Sequence, residues 1–99
     1  DGRVCAVIGT HTHVPTADAR ILPGGTAAIT DVGMTGPHDS VIGVETEIVL
    51  DQIIRCMPVR HRVATGDVRI CAAMLDIDES NGHARSIEPI MEPGWKRSV

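Results

Sequence analysis

The stretch Val4–Pro15, VCAVIGTHTHVP, places two histidines directly after a short apolar run. Val, Ile and Ala dominate that run, so it predicts a buried strand over Arg3–Ile8. Side chains two positions apart on a strand point to the same face, so His11 and His13 are expected to project together and Thr12 to the opposite side. A hydrophobic core has little use for two imidazoles side by side. The pair therefore indicates a binding function.

Composition limits the class of protein. With 99 residues, 42% of them hydrophobic, the chain is expected to form one soluble globular domain. A net charge of −4, from 9 basic and 13 acidic residues, argues against a reader of the nucleic-acid backbone and against binding to an anionic membrane. No apolar run approaches the ~20 residues that span a bilayer. The three cysteines are far apart in sequence, which indicates neither a disulfide framework nor a zinc ribbon and favours a cytoplasmic setting.

The remaining pattern predicts an α/β arrangement, a mixed β-sheet with one main helix packed on a face. Such a sheet keeps apolar area uncovered, so something else should cover it. Thr16–Arg20 is expected to be a loop or a single helical turn. The predicted elements after it are a strand at Thr26–Val32, an irregular loop at Gly33–Pro37, a helix at Glu45–Met57, a half-exposed strand at Val59–Ala64, a strand at Val68–Ile77 and its hairpin partner at Ser86–Ile90.

Two imidazoles on one face can bind one ion jointly, or serve two ions ~3.5–4 Å apart as in two-metal phosphoesterases. They can equally be two half-exposed polar residues at the end of a strand. Asp31 could lie behind the ligands and orient an imidazole N–H, or it could bind its own backbone in a turn. Asp18 could reach back and orient an imidazole in the same way, but a helix N-cap or a solvated loop residue is the favoured interpretation.

Other chemistry has little support in the sequence. His38, His61 and His83 have no metal-ligand spacing and are expected to be solvated. Cys5 and Cys71 lie in apolar runs, where a free thiol behaves as a small buried hydrophobe. The frames of a phosphate-binding loop and of a serine nucleophile elbow are both absent, so covalent nucleophilic catalysis is not predicted.

The segment GTHTHVPTADARILPGGTAAITDVGMTGPHDSVIG, Gly9–Gly43, closely resembles the C-terminal part of the YmdB-like metallophosphoesterases, a bacterial branch of the calcineurin-like superfamily. MPVRHRVATGD at Met57–Asp67 and AAMLDIDESNGHARSIEPI at Ala72–Ile90 continue the likeness. The resemblance implies that residues 1–99 form a single partial domain, the C-terminal section of a four-layer αββα sandwich.

The same resemblance implies a centre of two divalent metal ions, usually iron or manganese. His11 and His13 would bind the ions, one each, with Thr12 and Asp31 behind the ligands or near the substrate. The implied reaction is hydrolysis of phosphodiesters such as 2′,3′-cyclic nucleotides, by attack of a metal-bound hydroxide on phosphorus.

These residues contain none of the family's remaining metal ligands, and they also lack its general acid. We expect them in a missing N-terminal part of the same protein, so that the chain alone is inactive and carries no catalytic residue. A homo-oligomer is compatible with the sequence. The alternative function is a small non-catalytic metal-binding or interaction module that uses the same two histidines.

Overall fold

A small sheet is formed around a central strand rich in alanine. The computed structural model describes residues 1–93, and in it β1 (Ala6–Ile8) runs parallel to β3 (Ala27–Ile29), while β2 (Arg20–Ile21) pairs antiparallel with the other edge of β3. Ala27 is 0% exposed and Ile29 is 2% exposed, so the middle strand supplies much of the core. The small side chains of β3 let its neighbours approach closely.

A second sheet is built on a long hairpin. β5 (Gly66–Ile77) pairs antiparallel with β6 (Ala84–Glu92) on one edge and with β4 (Gly36–Asp39) on the other. The hairpin turn begins at Asp78, whose carboxylate accepts hydrogen bonds from the backbone N and hydroxyl of Ser80 at 2.9 and 2.6 Å. The predicted hairpin across Asn81-Gly82 is confirmed.

The single helix, α1 (Thr46–Arg55), is confirmed but does not cover a sheet. Cys56 ends it in a left-handed conformation, with φ of 55°, two residues before Pro58. No side chain of α1 is buried, and Ile54 is 79% exposed. The expectation that this helix packs on a face of the sheet is therefore wrong for the described residues.

The two sheets meet where the hairpin end rests on the Pro-Gly-Gly turn. The backbone N of Ala84 donates to the carbonyl oxygen of Gly25 at 2.8 Å. A Cβ on Gly25 would lie 2.7 Å from Cγ of His83, and the φ of Gly25 is 101°. Glycine is needed at this junction for its backbone conformation as well as for space.

Several predicted boundaries are wrong for identifiable reasons. Val59–Ala64 is not a regular strand. Its backbone runs beside the turn that precedes α1, where Arg62 O accepts from Glu45 N and Ala64 N donates to Gly43 O. Part of the loop predicted at Gly33–Pro37 belongs instead to β4. Of the two alternatives for Thr16–Arg20, the structure shows the loop and not the helical turn, and the last residue of this segment begins β2.

Apolar side chains remain widely exposed, as the sequence predicted for a sheet without full cover. The described chain is flat, 56 × 33 × 17 Å, and its radius of gyration is 17.4 Å, against ~13 Å for a compact domain of this size. The first strand is shorter than predicted and not buried: Val7 is 58% exposed and Cys5 is also exposed. The other exposed large apolar side chains include Val14, Ile42, Leu50, Ile53, Met57, Val63, Val68, Ile70 and Met74.

Among the described residues, no helix has the length and apolar character needed to cross a bilayer.

Candidate metal centre

The two histidines lie in a loop, residues 9–16, that follows β1 and that we call the histidine loop. Residues 11–14 form a bend, and His13 has a φ of 70°. The expectation that a strand's pleat directs both imidazoles to one face is therefore wrong, because the strand ends at Ile8. Instead, the structure places both histidines in a short loop whose two ends are bonded to the same segment after β3.

The loop starts at a close crossing of backbones. Gly9 N donates to Ile29 O at 3.0 Å, and Gly9 O accepts from Val32 N at 2.9 Å. A Cβ on Gly9 would lie 2.0 Å from the carbonyl oxygen of Thr30. No side chain fits in that space, so the loop can leave β1 along this path only from a glycine.

Asp31 holds the middle of the histidine loop. Its side chain is only 1% exposed. Its Oδ2 accepts from the backbone N and the hydroxyl of Thr12 at 2.6 and 2.7 Å, and its Oδ1 accepts from Gly33 N at 2.8 Å. The Thr12 hydroxyl, followed by Gly33 N–H, lowers the pKa of Asp31 below its ordinary value. The carboxylate thus forms the turn considered from the sequence and also contacts Thr12, rather than an imidazole nitrogen.

The last residue of the histidine loop, Thr16, is hydrogen-bonded to the backbone of Asp31. Asp31 O accepts from Thr16 N at 3.0 Å, and Asp31 N donates to the Thr16 hydroxyl at 2.9 Å. Asp18 caps no helix and instead joins Thr16 to Thr30, accepting from the Thr16 hydroxyl at 2.6 Å and from the backbone N and hydroxyl of Thr30. These bonds lower the pKa of Asp18 to about 2, with the Thr16 hydroxyl contributing most.

His13 carries the atom that best fits a metal. Its Nδ1 is buried and has no hydrogen-bond partner. A buried polar nitrogen without a partner costs free energy, and such exceptions in folded proteins call for an explanation. Neutral imidazole nitrogen is a common metal ligand, so an ion bound at Nδ1 would satisfy this atom. His11, two residues earlier, is exposed and open to a ligand.

The described residues supply only part of a ligand set. Within residues 1–93, no group of three or more His, Cys, Asp or Glu side chains is arranged to hold a metal ion. The residues present therefore fit the role of two imidazole ligands and not that of a complete site.

The sequence missed one contact close to the histidine loop. His38 is half-buried rather than solvated, and its Nε2 lies 2.9 Å from Met34 O and 3.7 Å from Sγ of Cys71. Burial raises the pKa of the Cys71 thiol, which disfavours its thiolate form. The two residues are 33 positions apart, so no local spacing rule could have found them. His61 and His83 are exposed, as predicted.

Gly33 separates this buried cysteine from the histidine loop. A Cβ on Gly33 would lie 3.1 Å from Sγ of Cys71 on one side and 3.1 Å from Cδ of Pro15 on the other. Its φ of 96° also belongs to the region that favours glycine.

A family model, described as YmdB-like protein, matches residues 1–90. The chain belongs to this family. It is 50% identical over 91 residues to the 2′,3′-cyclic-nucleotide 2′-phosphodiesterase of Bacillus subtilis (strain 168), covering 92% of this chain and 34% of that protein. It is also 62% identical over 48 residues to a "putative phosphatase/phosphodiesterase" of Mycoplasma pneumoniae, covering 48% of this chain and 17% of that protein.

Solved structures agree with this YmdB-like assignment. A hypothetical protein from Thermus thermophilus superposes with a TM-score of 0.84 at 46% identity, over 92% of this chain and 35% of that one. A novel phosphatase of Mycoplasma pneumoniae gives 0.85 at 36% identity, over 91% and 32%. The mixed α/β content and these neighbours confirm the predicted α/β fold class, as one section of a larger fold. The chain spans about a third of the length of the Bacillus relative that it matches.

Proposed function

We propose that the chain is the histidine-bearing part of a metal-dependent phosphodiesterase. The substrates we propose are small phosphodiesters such as 2′,3′-cyclic nucleotides. The name of the Bacillus relative, at 50% identity over nearly the whole chain, supports this substrate class. The mycoplasma relative's name supports the broader class of phosphate-ester hydrolysis.

The metal role rests on one observation, the buried and unpartnered Nδ1 of His13. In this proposal His13 and His11 each bind one of two divalent ions, with iron or manganese as the candidates. When bound, the ions would neutralise charge on the phosphate oxygens and lower the pKa of a coordinated water. The chain's own part is to hold two neutral imidazoles in a loop that is fixed at both ends and in its middle.

The remaining ligands and the general acid are proposed to come from an N-terminal part of the same polypeptide. Two facts support this: the relative is about three times as long as the aligned segment, and apolar side chains such as Val7, Ile54 and Met74 are more than half exposed. Burying such side chains against another part of the protein would stabilise both. On this view the 99-residue chain alone is inactive. The free cysteines support a reducing, cytoplasmic setting.

The test uses the full-length gene product purified from a native-like host. We expect it to contain iron or manganese by elemental mass spectrometry and to hydrolyse 2′,3′-cyclic AMP, followed by chromatography of the products. His11→Ala and His13→Ala should each lower metal content and reduce the rate at least 100-fold. His61→Ala is the matched control, because His61 is exposed and, within residues 1–93, its ring bonds to Gln52 and not to the histidine loop.

Two outcomes would contradict the proposal. Metal content unchanged in both histidine variants would remove the ligand role. Metal bound through the two histidines, with no hydrolysis of any phosphodiester offered, would favour the non-catalytic metal-binding module.

A further inference from the structure

We propose that Asp31 is the positioning residue of the histidine loop, acting on the two imidazoles through Thr12. The inference rests on the proposed function, since it takes His11 and His13 to be metal ligands. It goes beyond it by assigning the geometry of the ligands to a carboxylate that touches neither imidazole.

The first argument is the environment of the carboxylate. Asp31 is 1% exposed, and the donors that reach its oxygens include two N–H groups and one hydroxyl, from Thr12 and Gly33. An ionised carboxylate can only accept hydrogen bonds, so these donors suit it and a neutral side chain would not replace it. The arrangement specifies an aspartate at this position.

The second argument is where its contacts fall on the loop. The Asp31 side chain binds the midpoint at Thr12, while its backbone N and O bind the end of the loop at Thr16. The start of the loop, at Gly9, is bonded to residues on either side of Asp31, Ile29 and Val32. One short segment after β3 therefore holds the histidine loop at its start, middle and end.

The third argument is the position of Thr12 between the two histidines. Because Asp31 bonds both the backbone N and the hydroxyl of Thr12, the peptide between His11 and Thr12 is fixed. Rotation of the backbone between Thr12 and His13 is also limited. His13 itself has a φ of 70°, which non-glycine residues seldom adopt. Without the contact at Thr12 the loop is free to relax, and the two imidazoles lose their fixed relation. Groups behind metal ligands commonly act in this way.

The test is Asp31→Asn in the full-length gene product, measured as Mn²⁺ affinity by competition with a fluorescent chelator. An amide has one oxygen and one NH₂, so in either orientation its NH₂ faces an N–H of Thr12 or of Gly33. We expect Mn²⁺ affinity to fall roughly 10- to 100-fold. Thr12→Val removes the hydroxyl, which bonds Asp31 and also contacts the backbone of Val14, but it keeps the backbone N–H bond to Asp31. It should lower the affinity less, and Thr12→Ser should restore it to near the wild-type value.

Asp18→Asn is the matched control, since Asp18 also accepts from threonines, Thr16 at the end of the loop and Thr30 after β3, but does not contact Thr12 between the histidines. It is expected to lower the melting temperature of the metal-free protein while leaving Mn²⁺ affinity within twofold of wild type. Equal losses of affinity in the Asp31 and Asp18 variants would indicate general destabilisation and overturn the positioning role.

Other outcomes also decide the matter. Wild-type affinity in Asp31→Asn overturns the inference while leaving the proposed function intact, provided His11→Ala and His13→Ala still lose the metal. If those two variants keep the metal, the proposed function fails and the inference fails with it. If Asp31→Asn does not fold, the comparison of Thr12→Val with Thr12→Ser carries the test, and equal affinities there overturn the inference.

Discussion

Gly9 and Thr30 cross so closely that a Cβ on residue 9 would lie 2.0 Å from the Thr30 carbonyl oxygen. The obstacle is backbone at the end of the core strand β3, which cannot rotate away as a flexible side chain can. Gly9→Ala is therefore expected to lower the free energy of unfolding by about 3 kcal/mol, the upper part of the range for overpacking. Urea denaturation of the full-length gene product measures it.

Gly66→Ala is the control for that substitution. Its Cβ would meet the Asp39 side chain at 3.1 Å, and its φ is not positive, so a small shift accommodates the methyl group. We expect a change in stability within about 1 kcal/mol. Equal effects at the two glycines would contradict the steric account of Gly9.

Metal addition should stabilise the wild-type protein through His13. A ligand that binds only the folded state adds about 2.7 kcal/mol when its concentration is 100 times Kd. His13→Ala is expected to reduce the rise in melting temperature produced by Mn²⁺, because the ion assigned to His13 is lost while the ion assigned to His11 can still bind. In the absence of metal it should cost little, because the unpartnered Nδ1 contributes no hydrogen bond. A Mn²⁺-dependent shift in His13→Ala as large as that of the wild type would show that the ion binds elsewhere.

Acid should weaken the tie that Asp18 makes between Thr16 and Thr30. The pKa of Asp18 is lowered from 3.8 to about 2 by these hydrogen bonds, so the folded state binds a proton less readily than the unfolded state. Stability from this group is present above pH ~4 and is lost as the pH falls toward ~2. The measurement is the free energy of unfolding from pH 2 to pH 6. Asp18→Asn should have a smaller dependence on pH in that window, and parallel curves would refute the assignment.

The stability of variants in α1 should show whether its exposed apolar face is buried in the full-length protein. Ile54 is 79% exposed, and we propose that it packs against another part of the polypeptide. In the full-length gene product, Ile54→Glu is expected to lower stability by about 2 kcal/mol, the cost of losing a buried aliphatic side chain. Ser86→Lys, at an exposed position on β6 opposite Asp76, adds a charge without like-charge repulsion and should change stability little. Equal stability of the two variants would mean that this face stays in water.

Local patterns predicted the parts of the fold that depend on neighbouring residues. The apolar spacing of α1 and the nearby Pro58 located the helix within two residues of its observed ends. Asn81-Gly82 located the β5–β6 hairpin, whose strands pair directly across that turn. In both cases the signal and the structure lie within the same short segment.

Contacts between distant segments were not predictable in this way. The histidine loop bends because Asp31, 19 residues after Thr12, accepts its N–H and hydroxyl. Val59–Ala64 alternates like a strand, yet its backbone partners lie at Gly43 and Glu45. Burial was overestimated for β1, because an apolar sequence indicates a tendency to be covered and does not supply the covering surface. The histidines were found as candidates by spacing, but the reason for their geometry lies in another segment, which follows β3.

Gly33 lies between the long hairpin and the histidine loop, and the two pack closely there because Gly33 has no side chain. Cys71 belongs to the long hairpin and Pro15 to the histidine loop, and both reach the place where its Cβ would stand. Any larger residue would act as a wedge, prising the hairpin away from the segment that bears the imidazoles. Mutational tolerance at position 33 is thus restricted twice over, by torsion and by volume. A substitution at position 33 would therefore disturb the loop that carries His13, although residue 33 itself would not contact a metal ion.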